Sequence, residues 1–245
     1  MQPEVEIVVG IPGKWQTRSD IVQDIATKSK GLLFACMVLI DTATNEPYQL
    51  EVYDHDPNLS EAFAIAGRHS LVESDIQSIR SHTFTLYLIA KGGSLEKAQK
   101  VLNVGSRLLQ AGGIAVKVET TGKAHSAKDW LALTEAHNET ALYHAFVTLV
   151  GDKRGYYSCG MHNLGYRDAF VKGNITPDDA AHLLQTFLLY VLIETPAIEN
   201  GHTFSENQHA PRYYLRSAPC ETYPGDHTFY NPYGMWELEY KHSAK

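Results

Sequence analysis

Short stretches in which apolar and polar residues alternate are typical of strands, and this chain has several of them. One run, Leu33–Asp41, is nearly all apolar, which predicts a central strand covered on both faces. Polar turns between neighbouring stretches predict two hairpins. The first pairs Leu33–Asp41 with Tyr48–Tyr53, and the second pairs Ala141–Val150 with Gly155–Met161. The predicted strands are Glu4–Ile11, Leu33–Asp41, Tyr48–Tyr53, His82–Ala90, Ile114–Val118, Ala141–Val150, Gly155–Met161 and the short stretch Tyr213–Arg216.

Other stretches place apolar residues at helical spacing, and most of them follow a residue that can cap a helix. The predicted N-caps are Thr17, Ser94, Ser126 and Thr176, and a further short helix is expected over Pro57–His69. Gly112 and Gly113 should end the helix that Ser94 begins, and Thr195 with Pro196 should end the helix that Thr176 begins.

Strands and helices thus mix along the chain without a strict βαβ alternation, which favours an α+β fold. We predict a mixed β-sheet with helices packed on it, in one domain that spans residues 1–245. Two similar lobes, 1–120 and 121–195, are the alternative. Residues 196–245 are expected to form an irregular segment rich in tyrosine and histidine.

Composition narrows the class of protein. The net charge of −7 and the absence of a basic stripe argue against binding to nucleic acid. The N-terminus shows no signal peptide, and the longest apolar runs are too short for a membrane span. Three widely spaced cysteines suggest neither a disulfide framework nor a zinc site. We therefore predict a cytoplasmic protein with no membrane attachment and no cofactor.

The stretch YYSCGMHNLGYRDA raises the question of a catalytic dyad, because Cys159 and His162 lie three positions apart. On a strand, odd spacing sends two side chains to opposite faces, so a dyad would need a bulge at Gly160. The alternative is that Cys159 is a buried small side chain and that Gly160 and Gly165 turn the backbone.

Two further stretches offer candidate chemistry. Asp54, His55 and Asp56 could ligate a metal at a strand end, or simply form a solvated turn before a helix. Lys123 and His125 precede a capped helix and could receive an anionic ligand, or simply lie in a loop. The glycine-containing stretches GIPG and KGGS lack the spacing of nucleotide-binding loops.

The C-terminal segment combines aromatic and cationic residues, which are favoured at protein interfaces. Its rings could equally pack back over the core. The candidate binding residues are Arg212, Tyr213, Tyr214, Arg216, Tyr223, His227, Tyr230 and Tyr233.

Three stretches together resemble an uncharacterised bacterial family, catalogued as domain of unknown function 4261. These stretches are GIPGKWQTRSD, AGGIAVKVETTGKAHSAKDW and YSCGMHNLGYRDA. The resemblance implies a bacterial cytosolic α+β protein, and it brings no agreed active site with it. The family pattern has an acidic residue soon after the glycine that matches Gly165, whereas this chain has Arg167 followed by Asp168 at that place.

Three hypotheses of function follow. The first is a non-enzymatic binding protein, such as an immunity protein that neutralises a bacterial toxin and has a basic partner. The second is an enzyme that acts on a small anionic substrate, with Lys123, His125, Cys159 and His162 as catalytic candidates. The third is a structural subunit of a larger assembly. We predict the first, since no recognisable catalytic motif is present.

Overall fold

The computed structural model describes residues 4–240 and confirms the α+β class. Residues 1–3 and 241–245 of the predicted single domain lie outside the described residues. The strands form two sheets, and a continuous cluster of buried apolar side chains runs between the sheets and the helices packed on them.

The first sheet has the strand order β2-β3-β4-β5-β1-β6-β7, and its neighbouring strands are antiparallel. The strands are β1 (Glu6–Gly13), β2 (Leu32–Ala35), β3 (Val38–Asp41), β4 (Glu46–Asp54), β5 (Phe84–Lys91), β6 (Ala115–Val118) and β7 (Lys123–Ser126). Strand β1 lies between β5 and β6, and its inward residues Val9 and Ile11 are completely buried.

The helices begin where the sequence predicted them in four cases. Each predicted capping side chain accepts a hydrogen bond from the backbone N–H three residues later; these residues are Thr17, Ser94, Ser126 and Thr176. The predicted helix Pro57–His69 is shorter, because only Leu59–Ala66 is helical. The helices are α1 (Arg18–Lys28), α2 (Leu59–Ala66), α3 (Glu73–Arg80), α4 (Leu95–Gln110), α5 (Ala127–Ala136), α6 (Glu139–Phe146), α7 (Met161–Leu164) and α8 (Pro177–Glu194).

The second sheet has the order β11-β12-β13-β10-β9-β8. Its strands are β8 (Thr148–Gly151), β9 (Gly155–Cys159), β10 (Asp168–Lys172), β11 (Thr203–Phe204), β12 (Tyr213–Ala218) and β13 (Met235–Tyr240). Strands β10 and β13 pair in parallel, which makes this sheet mixed. The C-terminal segment contributes β11, β12 and β13, and β12 contains the predicted strand Tyr213–Arg216.

The prediction of one central strand over Leu33–Asp41 was wrong. Cys36 and Met37 adopt positive φ angles of 48° and 66°, so the chain turns back on itself and forms the hairpin β2–β3. Strand β2 lies at the edge of the first sheet, and several of its apolar neighbours are exposed. A continuous apolar run cannot by itself distinguish a buried strand from an exposed hairpin.

The prediction of a strand over Ala141–Val150 was also wrong. The side chain of Asn138 accepts a hydrogen bond from the Ala141 N–H at 2.8 Å and begins helix α6. The strand starts only at Thr148. Asn is among the favoured N-cap residues, and here the cap outweighs the strand-like composition of the apolar run.

The predicted strand Gly155–Met161 ends at Cys159. Gly160 has a φ of 122°, and a Cβ there would lie 2.1 Å from the carbonyl oxygen of Phe146. Only glycine fits both constraints, since it lacks a Cβ and tolerates positive φ. The chain then enters the short helix α7, and this determines where His162 lies.

Candidate functional site

A cleft of about 460 Å³ brings together Lys123, His125 and His144. Lys123 and His125 are two positions apart on β7, so their side chains leave the same face of the strand. His144 comes from the last turn of α6, and α5 supplies the cleft's apolar wall through Ala132 and Leu133. The predicted cationic pair thus lies on a strand rather than in a loop.

Both side chains from β7 bond the carboxyl-terminal end of α6. The Lys123 amine donates to the carbonyl oxygen of Val147 at 2.7 Å, and Nε2 of His125 lies 2.9 Å from the carbonyl oxygen of Ala145. The last carbonyls of a helix have no partner within the helix, and cationic side chains are favourable beside them. Part of the role of this pair is therefore to cap α6.

The cleft contains the basic side chains of Lys123, His125 and His144 and the carboxylate of Asp129. Burial lowers the pKa of Lys123 to about 8. Burial together with repulsion from Lys123 lowers the pKa of His125 to about 3, and the same two causes lower the pKa of His144. Within residues 4–240, Lys123 forms no ion pair with a carboxylate. Lys123 therefore supplies the positive charge of the cleft at neutral pH, where the lowered pKa values keep both histidines neutral.

The catalytic candidates Cys159 and His162 do not form a dyad. Both ring nitrogens of His162 are buried without a hydrogen-bond partner among residues 4–240. Cys159 packs with Tyr157 and Met235, and burial beside Asp168 raises the pKa of its thiol, which opposes formation of the nucleophilic thiolate. Neither residue lines the cleft of Lys123 and His125.

Asp168 is the centre of a buried network that the sequence did not reveal. Its carboxylate accepts hydrogen bonds from the Ser158 hydroxyl at 2.7 Å and from the Asn231 amide at 2.6 Å. The backbone N–H groups of Gly160 and Met161 also point at it. Burial nevertheless raises the pKa of Asp168 to about 6. The network ties the YYSCGMHNLGYRDA stretch to the C-terminal segment, which indicates a structural role.

The candidate metal ligands have other partners. Asp54 pairs with Arg18 at 3.0 Å, and Nδ1 of His55 lies 2.8 Å from the carbonyl oxygen of His82. The carboxylate of Asp56 accepts from the Asn58 N–H at 2.9 Å, in the manner of a turn. Among residues 4–240, no three histidine, cysteine or acidic side chains lie close enough together to hold a metal ion.

The C-terminal candidates divide into packed and exposed residues. Tyr223 stacks on His227 with ring centroids 4.8 Å apart, and its hydroxyl lies 3.1 Å from the hydroxyl of Tyr157. Arg216 bonds Glu237 and Glu239 on β13. Tyr213, Tyr230 and Tyr233 are half-buried, whereas Arg212 and Tyr214 are exposed. A binding role for these eight residues stays a prediction.

A group of exposed apolar side chains lies elsewhere, on the first sheet. Leu33, Val38 and Ile40 of the β2–β3 hairpin are 51%, 42% and 39% exposed, and Tyr53 of β4 is 54% exposed. We call this surface, with Met37 at the hairpin turn, the hairpin face. Leu33, Ala35, Val38 and Ile40 share one face because the chain turns at Cys36 and Met37, a turn that the sequence does not indicate.

In the part of the chain that the structure describes, no helix combines the length and apolar character needed to cross a membrane. The resemblance to the family of unknown function stays a prediction. The chain matches no protein-family model, no curated protein and no solved structure.

Proposed function

We propose that the chain is a non-enzymatic binding protein that captures a basic protein partner through the hairpin face. The exposure of Leu33, Val38, Ile40 and Tyr53 carries this proposal. Exposed apolar patches rimmed by polar residues are typical of interaction sites. Neutralisation of a bacterial toxin is the specific form of the proposal, in which binding would stop the partner's own activity.

Cross-strand pairing joins the apolar side chains of the β2–β3 hairpin, and the polar side chains of Gln49 and Glu51 lie between them and Tyr53. Leu33 lies opposite Ile40, and Ile40 lies opposite Pro47, so these three side chains form one row across the sheet. Ala35 and Val38 form a second row beside it. Such adjacent side chains present a single apolar surface. The other side of the sheet packs on α1 and α4, and no helix among residues 4–240 covers the hairpin face.

A notch of about 400 Å³ adjoins the hairpin face. Arg18 and Val22 of α1 form one wall, and Phe34, Met37 and Val52 form the other. Strand β3 pairs with β4 only as far as Gln49, so residues 51–54 of β4 pair with β5 on one side alone. An apolar pocket beside an open strand edge suits an inserted apolar side chain on an extended segment of a partner.

The net charge favours a basic partner over a second copy of the chain. Two copies, each with a net charge of −7, would repel one another on approach. A basic protein would be attracted, since complementary charge raises the association rate. The apolar hairpin face would then supply the short-range contacts that hold the complex.

Substitution of Leu33→Asp together with Ile40→Asp should abolish capture of the partner. A partner retained from lysate would be identified by mass spectrometry, purified, and titrated against each variant. Burying two unpaired carboxylates should weaken binding by about 100-fold or more, because interface hot spots contribute about 2 kcal/mol or more each. The matched control is Ile193→Asp on α8, an isoleucine that is 54% exposed far along the chain from the hairpin.

Several outcomes would contradict the proposal. The purified partner could bind the double variant and the wild type equally, or it could be acidic. A mass of twice 27.3 kDa in light scattering, lost in the double variant, would assign the hairpin face to a second copy instead. Weaker binding by an Arg212→Ala, Tyr214→Ala variant alone would place the interface on the C-terminal segment.

A further inference from the structure

We infer that the cleft of Lys123, His125 and His144 is a second binding site, which takes a small oxyanion such as a carboxylate or a phosphate. This inference does not depend on the hairpin face, which belongs to the opposite end of the first sheet from β7. It concerns binding alone and assigns no reaction to the cleft.

Lys123 has hydrogen-bonding capacity that capping leaves unused. An ammonium group has three N–H donors, and only one is directed to the carbonyl oxygen of Val147. Asp129 lines the same cleft, yet the structure shows no ion pair between its carboxylate and the Lys123 amine among residues 4–240. Removing a cation from water without a carboxylate partner costs free energy, and an anion bound beside the Lys123 amine would reduce that free-energy cost.

The histidines are neutral at pH 7 and add hydrogen-bond donors beside Lys123. Lys123 is close enough to His125 and to His144 to disfavour the protonated form of each. An anion among them would offset this repulsion. A neutral imidazole can also donate one N–H to an oxyanion, and capping of α6 does not involve the rings of His144 and His69, which line the cleft.

The size and lining of the cleft fit a small ligand. Its volume of about 460 Å³ lies within the range of small-molecule sites. Ala132 and Leu133 provide an apolar wall for the carbon part of such a ligand. A lysine amine is a compact charge that binds phosphate and carboxylate without demanding bidentate geometry.

Competitive acetylation of the whole protein tests the inference. Limiting acetic anhydride would be added at pH 7 in sodium chloride, sodium phosphate or sodium citrate at equal ionic strength, and each lysine quantified by mass spectrometry. An anion that raises the pKa of Lys123 by one unit slows its acetylation about tenfold at this pH. The matched control is Lys128, an exposed lysine on the neighbouring helix, whose rate should not change.

Phosphate and citrate form separate arms, so slowing in one alone identifies the ligand chemistry. Lys123→Met should also remove the thermal stabilisation that the effective anion gives, while Lys128→Met should keep it. Equal acetylation of Lys123 in all three salts would overturn the inference, as would equal slowing at Lys128. Partner capture by Lys123→Met should match the wild type, which separates failure of this site from failure of the hairpin face.

Discussion

The protein should lose about 3 kcal/mol of unfolding free energy when the pH falls from 7 to 5. The largest contributions come from two buried histidines held neutral in the folded state, and the lowered pKa values of His82 and His144 act in the same direction. Burial lowers the pKa of His162 to about 4, and burial with repulsion from Lys123 lowers the pKa of His125 to about 3. In the unfolded chain both should titrate near their ordinary value of about 6.5.

Between pH 6.5 and pH 4 the unfolded chain therefore binds protons at both histidines and the folded chain does not. Stability falls as the pH falls, by about 1.4 kcal/mol per pH unit for each group. At pH 5 the two histidines together would cost about 4 kcal/mol relative to pH 7. Below its folded pKa each histidine also protonates in the folded state, and its contribution stops growing.

Asp168 has the opposite effect on the pH dependence of stability. Its folded pKa is raised to about 6 from 3.8, so below pH 6 the folded state binds a proton that the unfolded state does not. The folded state therefore gains about 1.3 kcal/mol of stability between pH 7 and pH 5. The net expectation is a loss, because the contribution of the buried histidines exceeds that of one carboxylate over this interval.

Urea denaturation of wild type and His162→Leu at pH 7 and pH 5 checks this prediction. The ring of His162 has no hydrogen bond to lose among residues 4–240, so leucine should fold and remove about 2 kcal/mol of the pH dependence. His209→Gln, which changes an exposed histidine, should leave the dependence intact. Dilute protein is needed, since the sequence pI is 5.9. Full pH dependence in His162→Leu would contradict the prediction.

Asp168→Ala should destabilise the protein by about 3–5 kcal/mol at pH 7. The substitution leaves the Ser158 hydroxyl and the N–H groups of Gly160 and Met161 buried without their acceptor. A buried donor that loses its acceptor costs about 1–3 kcal/mol. The NH₂ group of Asn231 would keep only its bond to the carbonyl oxygen of Tyr166, so its hold on the C-terminal segment weakens.

Chemical denaturation measures the loss, and Asp226→Ala provides the control. Asp226 is exposed in the same C-terminal segment as Asn231, and its removal should change stability by less than about 0.5 kcal/mol. A change below about 1 kcal/mol for Asp168→Ala would mean that water satisfies the network and that it does not anchor the segment.

The fold class was predictable because its signals are local. Helix N-caps are local, because each capping side chain bonds the backbone N–H three residues later. The structure confirms all four predicted caps, which are Thr17, Ser94, Ser126 and Thr176. The strands were harder to predict. A positive φ at Cys36 and Met37 is unusual for residues with a side chain, and nothing in the sequence indicated a turn there.

The candidate sites depended on contacts that are distant in sequence. The sequence predicts Lys123 and His125 as one candidate pair. His144 joins them in the cleft only because residues 139–146 are helical, whereas the apolar run from Ala141 predicts a strand. Asp168 and Asn231 are 63 residues apart in the sequence, so no local pattern predicts the hydrogen bond between them. The hairpin face was missed for a similar reason, since the apolar composition of Leu33–Asp41 suggested burial.

Amide hydrogen exchange with and without the purified partner tests the hairpin face most directly. The proposal predicts slower exchange in residues 33–40 and 51–54 of the complex, with the exposed end of α8 around Ile193 unchanged. Protection confined to residues 212–233, with no change in residues 33–40, would contradict it and would place the partner on the C-terminal segment.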